Sequence, residues 1–236
     1  MIEASQPNGG PLLGDGVLLG SYDVDPVMED EHNRWCIHEH IPERLAIPGF
    51  LRCRRYATTL HDSARKYVNL YETDSLSAMT SAEYLARLEA PTPWTTRMAP
   101  SVLNATRTAA AVVVSRGRGA GGYLMLADVV PPREREWLSD FADIAGRTCV
   151  TSWEVVAVHL LRGDGDVTAR KSGTEEGSFF TEVSSEWVLA IEGAAELDAA
   201  TGRLVADLAD SGVTVAGAAG PRAYRCLYEA RPQTAA

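Results

Sequence analysis

The sequence has little of what marks a nucleic-acid binder, a membrane protein or a disulfide scaffold. Its 22 Lys and Arg are outnumbered by 32 Asp and Glu, which gives a formal charge of -10. No basic run tracks a phosphate backbone, so nucleic acid is not expected as a partner. No apolar run approaches the roughly 18 residues a membrane span needs, and "MIEASQPNGGPLLGDG" lacks the basic start and apolar stretch of a secretory leader. A soluble, cytoplasmic protein with no membrane partner is expected. The four cysteines, Cys36, Cys53, Cys149 and Cys226, are far apart and form no CxxC pair. Neither a zinc framework nor a dense disulfide scaffold is therefore indicated, and the thiols are expected to be reduced.

What is present is enough to build a core. A chain of 236 residues, 45% of them hydrophobic, suits one large domain or two of roughly 100 residues each. After an opening that reads as disordered over 1–15, "GVLLGSYDV" (16–24) reads as a strand. Residues 27–46 read as a helix with Glu29, Asp30 and Glu31 in its first turn, stopped by Ile47-Pro48-Gly49. "GFLRCRRY" (49–56) and "RKYVNLYET" (65–73) alternate as strands do. A helix over 77–90 ends at the breaker "PTPW", and "VLNATRTAAAVVVS" (102–115) closes a β-α-β-β-α-β order.

The same order then starts again. "YLMLADVV" (123–130), a helix over 131–148, strands over 152–162 and 185–193, a helix over 194–212 and a last strand in "VTVAGAAG" and "AYRCLYEA" make a second set. The pattern predicts an α+β fold of two tandem ferredoxin-like (βαββαβ) units, 16–115 and 123–230, forming an α+β barrel within one chain, with a tail at 231–236. Each unit has helices on one sheet face, and the other face needs cover, most economically the second unit's sheet. "RGRGAGG" (116–122) overlaps the GxGxxG pattern. A strand follows it where a nucleotide fingerprint needs a helix, so it reads as a linker. Monomer and homodimer both remain open, because uncovered sheet edges can pair two chains.

Three of the five histidines lie in "DEHNRWCIHEHIPERLAIPGF" (30–50). On a helix, Asn33, Cys36 or Ile37, His40 and Arg44 share a stripe, and His32, Trp35 and Glu39 a neighbouring one. His38 and His40 point about 200° apart on an ideal helix, and no pair has HExxH spacing, so no metal site is expected from this helix. His61 and Asp62 are the distant residues that could still add ligands. Pro42 frees carbonyls two to four residues back and bends the helix beside His40. That arrangement suits a polar site and suits a packed core histidine equally.

"WCIHEHIPERLAIPGFLRCRRY" resembles the EthD-type branch of the dimeric α+β barrel superfamily: an aromatic five residues before a His, then His-x-Pro, then a PGF turn into a strand ending in Arg-Tyr. "YVNLYET" and "SAEYLARLEAPTPWTTRM" extend the likeness over 16–115. The resemblance implies a pocket for hydrophobic or aromatic small molecules. It places the family's helix His at His40 and its aromatic at Trp35; His38 has no settled counterpart. On this reading His40, with His38 beside it, is the catalytic candidate, and Trp35, Tyr22, Asn69, Tyr71 and Arg54 are the substrate-binding candidates. The expected activity is acid/base catalysis without a cofactor, of cyclase, isomerase or decarboxylase type, on an aromatic or polyketide-like carbonyl compound. A monooxygenase or haem-binding protein of the same superfamily and a non-catalytic binding protein are the alternatives.

Two patterns stay ambiguous in the sequence. Tyr67, Asn69 and Tyr71 share one strand face and Val68 and Leu70 the other, and a surface position for the polar face is the blander reading. The arginines of "RCRRY" (52–56) read as a solvated face. Residues 163–184 form a polar stretch too long for a hairpin loop, read either as an added structural element or as a lid carrying Phe179 and Phe180.

Overall fold

The computed structural model describes residues 10–58, 65–133, 136–171, 174–179, 186–216 and 221–233. The opening over 1–9, His61, Asp62 and Phe180 lie outside them. In chain order the elements are β1 (Gly16–Val24), α1 (Glu29–Trp35), a π-helical turn (Cys36–His40), α2 (Ile41–Leu45), β2 (Phe50–Thr58) and β3 (Tyr67–Thr73). Next come α3 (Ala82–Glu89), α4 (Pro93–Met98), β4 (Val102–Gly117), β5 (Tyr123–Val130), α5 (Trp137–Thr151) and β6 (Val155–Gly163). The last are α6 (Gly165–Arg170), β7 (Trp187–Gly193), α7 (Asp198–Asp210), β8 (Thr214–Val215) and β9 (Arg222–Ala230). Strands pair in the order β7-β6-β4-β1-β3-β2-β9-β5-β8, and β7 also pairs with β5. The order thus closes through eight strands, as an α+β barrel requires. No helix among the described residues is long and apolar enough to cross a membrane.

The chain groups into two compact units. One comprises 13–111 with 164–184 and 227–236; the other comprises 1–12, 112–163 and 185–226. In the first, β1 pairs antiparallel with β3 and β4, and β3 with β2. Its core joins Leu18, Trp35, Cys36, Ile41, Phe50, Tyr71, Leu88, Met98 and Ala109. In the second, β7 pairs with β5 and β6, and Phe141, Ile144, Leu204 and Leu208 of α5 and α7 pack with Val158, Leu160, Leu189 and Ile191.

Three local sequence expectations need correction. "PTPW" does not simply end a helix: Thr92 caps α4 by accepting from the Thr95 N–H at 3.0 Å, with Pro93 at its first position, where a missing N–H is no loss. The arginines of β2 are not solvated. Arg52, Arg54 and Arg55 are all buried, the first two donating to Glu72, which is itself fully buried. Nor is either face of β3 on the surface, since all seven of its residues are buried. A register shift between Phe50 and Arg52 lets β2 set Arg52 and Arg54 beside Glu72 on one face and Cys53 and Arg55 beside Tyr71 and Asn69 on the other.

Candidate functional site

The helix expected over 27–46 is broken in the middle by a change of winding. Pro42 has no N–H to offer to the preceding turn, and the Ile41 N–H reaches back five residues to the Cys36 carbonyl. Single π turns of this kind recur at functional sites. Here the turn carries His40 inward, with its ring centroid 4.6 Å from that of Trp35 and 6.4 Å from that of Tyr71. It leaves His38 exposed.

Between these helical turns and the sheet of the first unit lies a cavity of about 60 Å³. Its walls are Leu18, Gly20 and Tyr22 of β1, Asn69 and Tyr71 of β3, Arg107 of β4, His32, Trp35, His40 and Arg44 of the helical segment, Tyr84 of α3, and Lys171 just after α6. Gly20 sits between Asn69 and Arg107 in register, and a Cβ added there would meet nothing within 4 Å. The floor is therefore open because this strand position has no side chain.

Of the residues expected to form a site, His40, Trp35, Tyr22, Asn69 and Tyr71 are brought to this cavity. His38 is exposed and Arg54 is bound to Glu72, so neither lines it. Residues not anticipated complete the wall. Arg44 donates to both carboxylate oxygens of Glu176, and the Lys171 ammonium lies 3.4 Å from one of them, all three side chains being buried. Arg107 donates to the Tyr84 hydroxyl at 3.0 Å and to the Thr168 carbonyl at 2.9 Å. Arg44 could have been found from its four-residue spacing to His40. Lys171 and Glu176 lie in a segment without periodicity and left no such signal.

The electrostatics follow from burial and a surplus of cations. Burial first, then the Arg44 charge, hold His40 well below the usual imidazole range. Burial and Arg55 push His32 down to about 3. Burial alone would raise the Tyr84 phenol, but Arg107, Lys171 and Arg44 outweigh it and lower the pKa. Burial lowers Lys171 against the pull of Glu176. Four wall residues also carry a buried nitrogen without a hydrogen-bond partner: His32 Nε2, His40 Nδ1, Arg44 Nη1 and Arg107 Nε. Buried polar groups are normally satisfied, so this concentration singles the cavity out as the candidate site.

No known family model matches the chain, and no curated protein matches it. Solved structures do. An anthrone oxidase-like protein aligns at 12% identity over 96% of this chain and 95% of its own, with a TM-score of 0.56. A heme-binding protein from Thermus thermophilus aligns at 12% identity over 96% of both chains, TM-score 0.51. A mutant chlorite dismutase from Candidatus Nitrospira defluvii, in complex with cyanide, aligns at 9% identity over 90% of both, TM-score 0.55. The chain has the α+β barrel fold of these neighbours. At these identities the likeness carries the fold and no activity, and the EthD-type branch is not singled out.

A heme-binding neighbour invites a test of fit. Sites for drug-sized ligands run from about 300 Å³ upward, whereas the cavity that holds the unpartnered His32 and His40 nitrogens is about 60 Å³. In the second unit, His159 has both ring nitrogens engaged, Nδ1 with Ser115 at 2.9 Å and Nε2 with Glu192 at 3.1 Å. That cavity is too small for a haem as it stands, and His159 has no free nitrogen to ligate one. They also contain no cluster of three or more His, Cys, Asp or Glu able to hold a metal ion.

Proposed function

We propose that the cavity of the first unit is the active site of a proton-transfer enzyme, in which His40 is the general base toward a carbon or phenol proton made acidic by a neighbouring carbonyl or ring. One observation carries this reading: His40 is a half-buried imidazole on the wall of a cavity lined also by three cationic side chains, kept neutral by its surroundings and with Nδ1 unpartnered. A neutral imidazole can accept a proton. Arg44, Arg107 and Lys171 would stabilise the negative oxygen that develops as the proton leaves, which compensates for the modest basicity of a depressed imidazole. Trp35 and Tyr71 flank the base and would orient a flat substrate. This agrees with the EthD-type resemblance and with a small aromatic or polyketide-like carbonyl compound as substrate, the cavity favouring the smaller members. The chemistry would be isomerisation, cyclisation or decarboxylation.

The test is hydrogen–deuterium exchange at the acidic carbon of small ketones and aryl ketones in D₂O, followed by NMR. A His40→Gln variant should lose about 10²- to 10⁴-fold in rate, the usual share of a positioned base. Unchanged exchange in a folded variant would end the reading. The anthrone oxidase-like neighbour favours a second outcome of the same deprotonation, capture of the carbanion by dioxygen. Substrate-dependent oxygen consumption would distinguish oxidation from isomerisation.

A further inference from the structure

The protein as a whole is acidic, yet the cavity wall is not. Among its charged residues are Arg44, Arg107 and Lys171, and the buried Glu176 carboxylate pairs with the first and the last. Arg55 lies just behind the wall and donates to Tyr22, Asn69, Asn33 and Cys36, with no carboxylate among these partners. The chain has two lysines, Lys66 and Lys171, and one of them is buried here. Taking cations out of water is expensive unless they are matched by negative charge. Glu176 pairs with both Arg44 and Lys171, whereas Arg107 donates to the Thr168 carbonyl and the Tyr84 hydroxyl.

Three features of the wall say where further negative charge would sit. Arg44 spends one terminal nitrogen on Glu176 and keeps the other, Nη1, buried and unpartnered; Arg107 does the same with Nε. The Tyr84 phenol, accepting from Arg107, is drawn toward ionisation by the same cations. The open volume lies over Gly20, whose two strand neighbours are Asn69 and Arg107. At a liquid share of about 30 Å³ per water, the cavity of about 60 Å³ holds roughly two waters, room for the carboxylate end of a short-chain acid.

Resting on the proton-transfer reading for its chemistry, we infer that the natural ligand of this cavity is a small carboxylate, held over Gly20 by Arg44, Arg107 and Lys171, with the carbon to be deprotonated facing His40. Guanidinium groups suit the two oxygens of a carboxylate, and charge-assisted bonds of this kind are stronger than neutral ones. The substrate would then be an oxo acid, whose carboxylate anchors it and whose carbonyl makes the adjacent carbon acidic.

The probe pair is propionate and propionamide, alike in size and shape and different in charge, titrated calorimetrically into the full-length protein. Propionate is expected to bind at least about ten-fold more tightly, since a charged partner adds on the order of one decade or more to a buried hydrogen-bonded contact. A Gly20→Val variant, which fills the floor and leaves every cation in place, is expected to keep its melting temperature and lose propionate binding. Equal affinity for the two probes, or undiminished propionate binding in Gly20→Val, overturns the inference. His40→Gln separates the two ideas. Charge-selective binding that survives this substitution, where exchange of the carbon-bound proton is no faster in the wild type than in the variant, keeps the carboxylate site and discards the general base. Exchange of neutral ketones without preference for propionate does the reverse.

Discussion

Acidification should destabilise the first unit through His32, and the amount can be worked out from its surroundings. The imidazole is fully buried, packed against Trp35 at 5.0 Å and Tyr22 at 5.5 Å between ring centroids, with Arg55 close enough to disfavour a second positive charge. Only the Glu29 charge acts in the other direction. The neutral ring is thus the folded form, with a pKa of about 3 against 6.5 when unfolded. Because the folded value is the lower one, the contribution is fully present above pH 6.5. It erodes as pH falls, by about 1.4 kcal/mol per unit, until the folded pKa is reached. Between pH 7.5 and pH 5 the loss from this residue is about 2 kcal/mol. His40 shifts in the same direction, so the total acid effect should be larger, and a comparison with His32→Phe isolates one residue. The ring loses only a 3.4 Å contact with Ser101, whose hydroxyl also donates to the Met98 carbonyl at 2.7 Å. Urea unfolding of wild type and variant at both pH values gives two stability differences. These should diverge by about 2 kcal/mol in favour of the variant at pH 5. A difference that does not change with pH would refute the buried, neutral assignment.

Two further outcomes follow from the packing. Glu72→Gln removes the charge to which Arg52 and Arg54 both donate in a fully buried setting, and should lower unfolding stability by about 3–5 kcal/mol in denaturant titration. A loss below 1 kcal/mol would mean the arginines are satisfied without it. Gly49→Ala should lower stability by at least about 1 kcal/mol, because the residue has φ of 88° and a new Cβ would lie 2.8 Å from that of Ala78. Thermal melts would show it, and an unchanged midpoint would argue against this turn.

The fold was legible because its signals are local. Alternation marks β2 and β3, and apolar spacing marks α5 and α7, each readable within its own dozen residues. The candidate site was legible at His40 and Trp35, where helix spacing and the resemblance overlapped, and at Tyr22, Asn69 and Tyr71 on the strands. What misled the reading of β2 was the assumption that three arginines in five residues need water. Their partners, Glu72 for two of them and Tyr22, Asn33 and Asn69 for the third, lie 14 to 33 residues away, and no local pattern announces such pairings. Lys171 and Glu176 are further still: the ion pair of Arg44 with Glu176 spans 132 residues. The length of the 163–184 segment was a hint that it did something, but its part in the cavity wall is a tertiary fact.

That long-range ion pair bears on how the chain can evolve and be cut. If the protein arose from a duplicated half, the copies have since become interdependent: the segment after β6 supplies Lys171 to a wall whose other members precede residue 111, and Thr168 and Glu176 to that wall's arginines. A fragment ending near the glycine-rich stretch would carry both cavity histidines and Arg44, but not the counter-charge of that guanidinium. Recombination between relatives at that seam would sever the same bond, so the two halves of the coding sequence should be inherited as one block.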